Sequence, residues 1–160
     1  MLIGEQPGSQ EDIEGKPFVG PAGKLLREAL SAAGLPGSRV YMTNTVKHFK
    51  YEMRGKARLH KRASATEQAA CRMWLAAEIA RVRPLFIVGL GSMAAQTMFG
   101  SAFLVSRQRG RWHVLSDTLH AMATWHPSAI LRMKEPQRAI AWQELVEDLK
   151  QVALADARAR

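Results

Sequence analysis

Cysteine and long apolar runs are almost absent from this sequence. Cys71 is the single cysteine among 160 residues, so the chain cannot form a disulfide within itself. No uninterrupted apolar run approaches the roughly 18 residues that a membrane-spanning helix needs, and residues 1–4 lack the pattern of a signal peptide. The sequence therefore predicts a cytoplasmic protein with no membrane partner.

Acidic residues are scarce relative to basic ones. The 14 aspartates and glutamates stand against 23 lysines and arginines, which gives a formal net charge of +9 and favours a polyanionic partner. The positive charge is concentrated in residues 47–62, where Glu52 is the only acid. Neutralisation of nucleic-acid phosphates needs local charge of this kind. We expect the contacts to nucleic acid to come from Lys47, Lys50, Lys56, Lys61 and Arg62.

Short apolar runs alternate with stretches of helical periodicity along the chain. The predicted strands are 2–3, 40–43, 85–90 and 121–125, and the predicted helices are 22–33, 65–81, 91–98 and 137–154. Residues 103–115 are expected to form a hairpin or an irregular excursion. The alternation predicts a single α/β domain over 1–160, a three-layer α/β/α sandwich around a mainly parallel four-stranded sheet. Its first strand is so short that we expect an N-terminal segment of the domain to be missing.

Three polar segments directly follow predicted strands, at residues 4–8, 44–48 and 126–128. Ligands of parallel α/β sheets bind at the carboxyl ends of the strands, so these segments are expected to share one edge. A long loop, predicted over residues 47–63, leaves the second segment. Loops of that length in a small domain are usually functional or disordered.

The side chains in these segments suit the removal of a base from a nucleotide. Glu5 is a candidate general base or a carboxylate that stabilises a cation, and Asn44 offers donors and an acceptor to a base edge. Phe18 can stack on the base, and His126 can donate to an oxygen that becomes anionic as the bond breaks. Taken singly, each has a structural explanation as a cap, a turn or a core residue. Their shared position favours the chemical interpretation, in which the base is flipped out of the helix.

The same segments resemble the family 4 uracil-DNA glycosylases, and more closely their UdgX branch. Gln6 and a basic loop, Lys56-Ala57-Arg58-Leu59-His60, are the features typical of that branch, whose loop pattern is Lys-Arg-Arg-Ile-His. Ala57 and Leu59 therefore depart from the pattern. The resemblance covers nearly the whole chain, in residues 4–8, 17–23, 43–50, 70–75 and 126–128.

The resemblance implies excision of uracil from DNA followed by covalent capture of the sugar. His60 would attack C1′ of the deoxyribose, and Glu5 would orient or deprotonate His60 or stabilise the cation. Arg58 would position the loop or a phosphate, and Gln6 would contact the reaction site. The expected partner is uracil-containing DNA, single-stranded as well as duplex. The protein is expected to be a monomer in a bacterial-type cytoplasm, associated with the nucleoid.

The resemblance also implies a uracil pocket and an iron–sulfur cluster. Asn44 would read the uracil edge, Phe18 would stack on the ring and His126 would stabilise the uracil anion, with Gly4 and Ser128 as further substrate-binding positions. Family 4 relatives carry a [4Fe-4S] cluster, and Cys71 matches one ligand position. The usual N-terminal Cys-x-x-Cys pair is absent, and one thiolate cannot hold a cluster, so the alternative for Cys71 is a small buried apolar residue.

Three other functions remain open on the sequence alone. One is an ordinary hydrolytic family 4 glycosylase that does not trap its product. Another is a dinucleotide-binding domain of an oxidoreductase, because residues 89–94 fit the pattern Gly-x-Gly-x-x-Ala after a strand. The third is a nucleic-acid-binding module without catalysis, in which Glu5 and His126 are dispensable.

Overall fold

The computed structural model describes residues 1–159 and contains seven strands and seven α-helices in that range. The strands are β1 (Leu2–Gly4), β2 (Met42–Asn44), β3 (Tyr51–Arg54), β4 (Ala57–His60), β5 (Phe86–Leu90), β6 (His113–Ser116) and β7 (Leu119–Thr124). The helices are α1 (Ser9–Glu14), α2 (Pro21–Ala32), α3 (Ala65–Val82), α4 (Gly91–Phe99), α5 (Val105–Gln108), α6 (Pro127–Arg132) and α7 (Gln137–Arg158). The four predicted helices correspond to α2, α3, α4 and α7, with ends shifted by a few residues.

The central sheet has five strands in the order β2-β1-β5-β7-β6. All neighbours pair in parallel except β6, which runs antiparallel to β7. The predicted α/β class with a mainly parallel sheet is confirmed, but the predicted number of four strands is wrong. The fifth strand, β6, is an edge strand on which Val114 is 70% exposed. It therefore lacks the continuous apolar run that identifies a buried parallel strand.

Successive residues of each central strand point to opposite faces of the sheet, and both faces are covered by helices. Leu2, Val88 and Met122 pack on one side in a cluster that includes side chains of α2, α6 and α7. Ile3, Ile87 and Ala121 pack on the other side with side chains of α3 and α4. This arrangement is the expected three-layer sandwich.

Residues 47–63 were predicted as one long loop, and this is wrong in that the segment contains two paired strands. β3 and β4 form a two-stranded antiparallel hairpin that stands outside the main sheet, with Gly55 at its turn in the left-handed region (φ 62°). Seven of its eight strand residues are exposed, so no alternation of buried and polar residues marks them as strands. Beyond the hairpin, α3 begins with a capping box between Ser64 and Glu67.

Two short helices follow strand ends and were not predicted. α1 comes after β1, and α6 begins directly after His126 at the end of β7. In the part of the chain that the structure describes, no helix is long and apolar enough to span a membrane.

Candidate active site

The carboxyl ends of the central strands bring the three polar segments to one edge, as the strand order predicts. Gly4 of β1 lies beside Asn44 of β2, and the chain after β2 is tied to the chain after β1 by two backbone hydrogen bonds. The Thr45 amide donates to the Gly4 oxygen at 2.9 Å, and the Val46 amide donates to the Glu5 oxygen at 2.9 Å. The third segment enters through His126, whose ring centroid is 6.1 Å from that of Phe18.

Gly4, Phe18 and Asn44 meet so closely that only glycine fits at position 4. A Cβ atom built on Gly4 would lie 2.4 Å from Asn44 Oδ1 and 2.6 Å from Phe18 Cζ. Both side chains are buried, since Phe18 is 5% exposed and Asn44 is 7% exposed. Among the described residues the Asn44 side-chain amide has no hydrogen-bond partner, so its donors and acceptor remain free to meet a planar base.

The backbone of Phe18 adopts a conformation that is rare for a bulky residue. Its φ is +56°, in the left-handed region, and such strain is frequently found at functional sites. Arg27 Nη1 holds the turn by donating to the Phe18 carbonyl oxygen at 2.7 Å. The same carbonyl lies where a Cβ of Gly23 would stand, so α2 approaches Phe18 through a glycine. These contacts fix the ring beside Asn44 and His126.

His126 is a neutral imidazole whose tautomer follows from its contacts. It is the N-cap of α6, and its Nδ1 accepts a hydrogen bond from the Ser128 amide at 3.1 Å. Burial, helped by the charges of Arg132 and His60, lowers the pKa of His126 to about 4. A neutral ring with Nδ1 as acceptor carries its proton on Nε2, so Nε2 is the donor. Ser128, predicted as a substrate contact, here orients His126.

Gln6 holds the root of the hairpin through both ends of its side-chain amide. Its buried side chain donates from Nε2 to the Lys61 carbonyl oxygen at 2.9 Å and to that of Lys50 at 3.5 Å. Its Oε1 accepts from the Ala63 amide at 3.0 Å. Gln6 is therefore linked to the residue just before β3 and to the residue just after β4, the strand that ends at His60.

His60 is the last residue of β4 and lies opposite Tyr51 at the root of the hairpin. The imidazole is exposed, with its ring centroid 6.1 Å from that of Phe49, and His60 lies near enough to His126 to contribute to the lowered pKa of that ring. Glu5 is half-buried. Within residues 1–159 neither the Glu5 carboxylate nor the His60 ring has a hydrogen-bond partner, so the expected Glu5–His60 bond is not formed here.

Arg58 fastens the hairpin to α1. Its Nη1 lies 2.9 Å from Asp12 Oδ2, and its Nη2 donates to Ser9 Oγ at 2.7 Å. The guanidinium also stacks on two aromatic rings, 5.3 Å from the centroids of both Phe49 and Tyr51. Of its two expected roles, the structure supports positioning of the loop. Ser9 and Asp12 were missed because nothing in a six-residue helix marks them as partners of a residue 49 and 46 positions away.

The four lysines and one arginine expected to bind phosphates divide into three groups. Lys47 is internal, paired with Glu78 at 2.7 Å. Lys50 pairs with Glu67 at 2.7 Å and Lys61 pairs with Glu52, both near the surface, where such pairs are weak and readily exchanged. The remaining two are exposed and have no ion-pair partner within residues 1–159, namely Lys56 and Arg62.

Cys71 does not come with the ligands that an iron–sulfur cluster requires. The described residues contain no group of three or more histidine, cysteine, aspartate or glutamate side chains that could hold a metal ion. The Cys71 thiol is buried, and its Sγ accepts the Lys47 amide at 3.4 Å. One thiol does not fit a [4Fe-4S] cluster, which needs several ligands.

The glycines of the dinucleotide-like motif have packing roles. A Cβ on Gly89 would lie 2.4 Å from Met98 Cε, and one on Gly91 would lie 2.7 Å from His126 Cβ. Gly91 also has a φ of +84°, which favours glycine. Gly91 thus allows His126 to approach the start of α4, and nothing in this arrangement requires a dinucleotide.

Comparison with known proteins identifies the relatives of this chain. Residues 1–150 match the Uracil DNA glycosylase superfamily. The type-4 uracil-DNA glycosylase of Archaeoglobus fulgidus is 35% identical over 138 residues, which are 82% of this chain and 66% of the relative. That of Saccharolobus solfataricus is 34% identical over 160 residues, 95% of this chain and 68% of the relative. That of Thermotoga maritima is 35% identical over 133 residues, with 82% and 66% covered. The chain spans about two thirds of the length of these relatives.

Proposed function

This chain belongs to the uracil DNA glycosylase superfamily, and we propose that it excises uracil from DNA and becomes covalently joined to the sugar through His60. The type-4 relatives indicate a hydrolase that acts on N-glycosyl bonds. The expected family is thereby confirmed, whereas the UdgX type and the trapping step are the proposal. Its substrate would be uracil-containing DNA, single-stranded or duplex, bound by a monomer.

The first step breaks the bond between C1′ of the deoxyribose and N1 of uracil. The bonding electron pair leaves with the base, so uracil becomes an anion and the sugar becomes oxocarbenium-like. The Nε2 proton of neutral His126 suits donation to the uracil oxygen on which the charge develops. Phe18 would stack on the ring, and the free amide of Asn44 would pair with its edge.

The second step forms a bond between an imidazole nitrogen of His60 and C1′. The nitrogen lone pair of the neutral ring supplies both electrons, and the proton on the other ring nitrogen is then lost. The Glu5 carboxylate, which has no partner among the described residues, suits acceptance of that proton. A carboxylate at this edge would also stabilise the positive charge of the sugar before capture.

One observation carries the trapping proposal. The hairpin that bears His60 is fixed at two points, by Gln6 at its root and by Arg58 to α1. His60 makes no hydrogen bond through its ring among the described residues, but it lies on a hairpin that is held in place, unlike a histidine of a free loop. Capture of a short-lived cation depends on a nucleophile that is already in position, because proximity replaces the diffusion of a second reactant.

A second candidate function is hydrolysis without trapping, and the Glu5 carboxylate favours it. A half-buried carboxylate without a hydrogen-bond partner in residues 1–159 can accept a proton from water as well as from imidazole. Water would then attack C1′, the abasic sugar would be released, and His60 would contribute only to binding.

The test incubates the protein with a labelled uracil-containing oligonucleotide and analyses it on a denaturing gel. We expect a slower band that survives denaturation and is absent with His60→Ala. His48→Ala is the matched control, because His48 is an exposed histidine of the same excursion. Free uracil without a shifted band would favour hydrolysis. The absence of both free uracil and a shifted band would reject both functions.

A further inference from the structure

The Lys47 ammonium group is surrounded by oxygen atoms of the protein, and its side chain is largely buried. Its Nζ lies 2.8 Å from Thr43 Oγ1, 2.8 Å from the Asn44 carbonyl oxygen and 2.7 Å from Glu78 Oε2. An ammonium group has three donors, so each of them is used. The side chain is 20% exposed, and that of Glu78 is 27% exposed. This lysine is unlike Lys56 and Arg62, which are exposed and unpaired in the described part of the chain.

Two of the three acceptors of Lys47, on Thr43 and Asn44, belong to the end of β2, and the third, on Glu78, belongs to α3. β2 is an edge strand of three residues, so on one side it has no neighbouring strand to hold it. Thr43 Oγ1 also donates to Glu78 Oε2 at 2.7 Å, which closes a triangle of Thr43, Lys47 and Glu78. The triangle joins the end of β2 to α3, and Lys47 binds the backbone oxygen of Asn44 itself.

Asn44 is the residue whose placement matters most for recognition of the base. Its side chain is 7% exposed and lies against the bare backbone of Gly4 beside Phe18. No described residue makes a hydrogen bond to its amide, so only the backbone and packing fix the direction in which it points. Lys47 binds both the Asn44 carbonyl oxygen and Glu78, so it connects the backbone of Asn44 to α3.

We propose that Lys47 and Glu78 are positioning residues that hold Asn44 toward the base, and that Lys47 does not contact DNA phosphates. This inference rests on the proposed function of the site as a uracil pocket. A shift of about 1 Å in a positioned group can cost on the order of 100-fold in rate. Loss of the pair is therefore expected to slow uracil release about 10- to 100-fold, while binding to DNA without uracil stays the same.

Two variants remove the pair from opposite sides. Lys47→Met keeps the aliphatic stem and removes the charge, and Glu78→Gln keeps the shape and removes the negative charge. Each is assayed for single-turnover uracil release at saturating DNA and for affinity to a uracil-free oligonucleotide across a salt series. Thermal unfolding verifies that both variants are folded.

Positioning predicts that both variants release uracil more slowly and that both keep the wild-type dependence of DNA affinity on salt. A phosphate contact predicts a different pattern, in which Lys47→Met reduces the slope of log affinity against log salt by about 0.7 to 0.9. Glu78→Gln would then bind DNA at least as tightly as wild type, because it frees the lysine. Lys56→Met is the comparator for a true phosphate contact, with a reduced slope expected.

Two outcomes would overturn the inference, and a third would reject the proposed function on which it rests. A reduced salt slope for Lys47→Met with a normal rate of uracil release would make Lys47 a phosphate contact. Wild-type rates in both variants would show that the pair does not position Asn44. A wild-type protein that releases no uracil would instead reject the proposed function on which the inference rests, so the two failures are distinguishable.

Discussion

The buried amide of Gln6 donates a 2.9 Å hydrogen bond to the carbonyl oxygen of Lys61, the residue that follows His60. Its other end accepts the Ala63 amide at 3.0 Å. One side chain from the segment after β1 therefore fixes the root of the hairpin through partners that lie 55 and 57 residues further along the chain. The carboxylate of Glu5 and the ring of His60 are thereby held at the same edge of the sheet.

Replacement of Gln6 by alanine is expected to uncouple trapping from excision. The change leaves the Lys61 oxygen and the Ala63 amide without partners, at a cost of about 1 to 3 kcal/mol, and loosens the hairpin. Uracil release depends on His126, Asn44 and Phe18 and should continue, whereas the covalently bound fraction should fall several-fold. Released uracil and the shifted band are quantified in the same reaction. An unchanged ratio of the two would show that the hairpin does not depend on Gln6.

Replacement of Gly4 by alanine is expected to abolish recognition of uracil. The new Cβ would meet Asn44 Oδ1 at 2.4 Å and Phe18 Cζ at 2.6 Å, so both side chains have to move. We expect uracil release to fall about 100-fold or more, with affinity for uracil-free DNA retained. Gly37→Ala is the matched control, because a Cβ there meets nothing within 4 Å. A Gly4→Ala variant as active as the Gly37→Ala variant would contradict the assignment of this pocket.

Replacement of His60 by serine is expected to restore turnover. Without the imidazole, the cation at C1′ is captured by water instead of by the protein, and the abasic DNA is released. The measurement is the number of uracil molecules released per protein molecule, which should stay near one for wild type and exceed one for His60→Ser. A variant that releases no uracil would mean that His60 is needed for bond cleavage itself.

Acid is expected to destabilise the fold through His126. Burial lowers the pKa of this histidine from 6.5 to about 4 in the folded protein, so below pH 6.5 the unfolded chain binds a proton that the folded chain does not. Stability is therefore lost as the pH falls from about 6.5 to about 4, by at most about 3 kcal/mol from this group. Urea unfolding at pH 7 and pH 4.5 should show a smaller loss for His126→Gln than for wild type. His48→Gln should lose as much as wild type, and equal losses in all three proteins would exclude His126 as the cause.

The layered fold was predictable because its signals are local. The apolar run of residues 85–90 indicates a buried strand, and the spacing of Leu25, Leu26, Ala29 and Leu30 indicates a helix with one buried face. These residues are buried in the structure, except for Leu85 and Phe86 at the start of the run. The edge strand β6 and the hairpin escaped prediction because their side chains are exposed. The carboxyl ends of parallel strands lie at one edge of the sheet, which predicted that Gly4, Asn44 and His126 would share that edge.

The roles of individual polar residues were less accessible, because they depend on contacts between distant positions. Lys47 counts as positive charge in a basic segment, and only the structure shows Glu78 neutralising it from α3. Gln6 belongs to a motif next to Glu5, yet its partners are Lys61 and Ala63. Net charge and spacing along the sequence report the composition of a segment, but not which of its side chains remain free for a ligand.

The most direct test of the account is peptide mapping of the protein after reaction with uracil-containing DNA. Nuclease and protease digestion followed by tandem mass spectrometry should find the mass of a deoxyribose remnant on the peptide that contains His60, with the fragment ions locating it on the imidazole. Unmodified His60 in a reaction that has released uracil, or a remnant attached to Glu5 instead, would contradict the account.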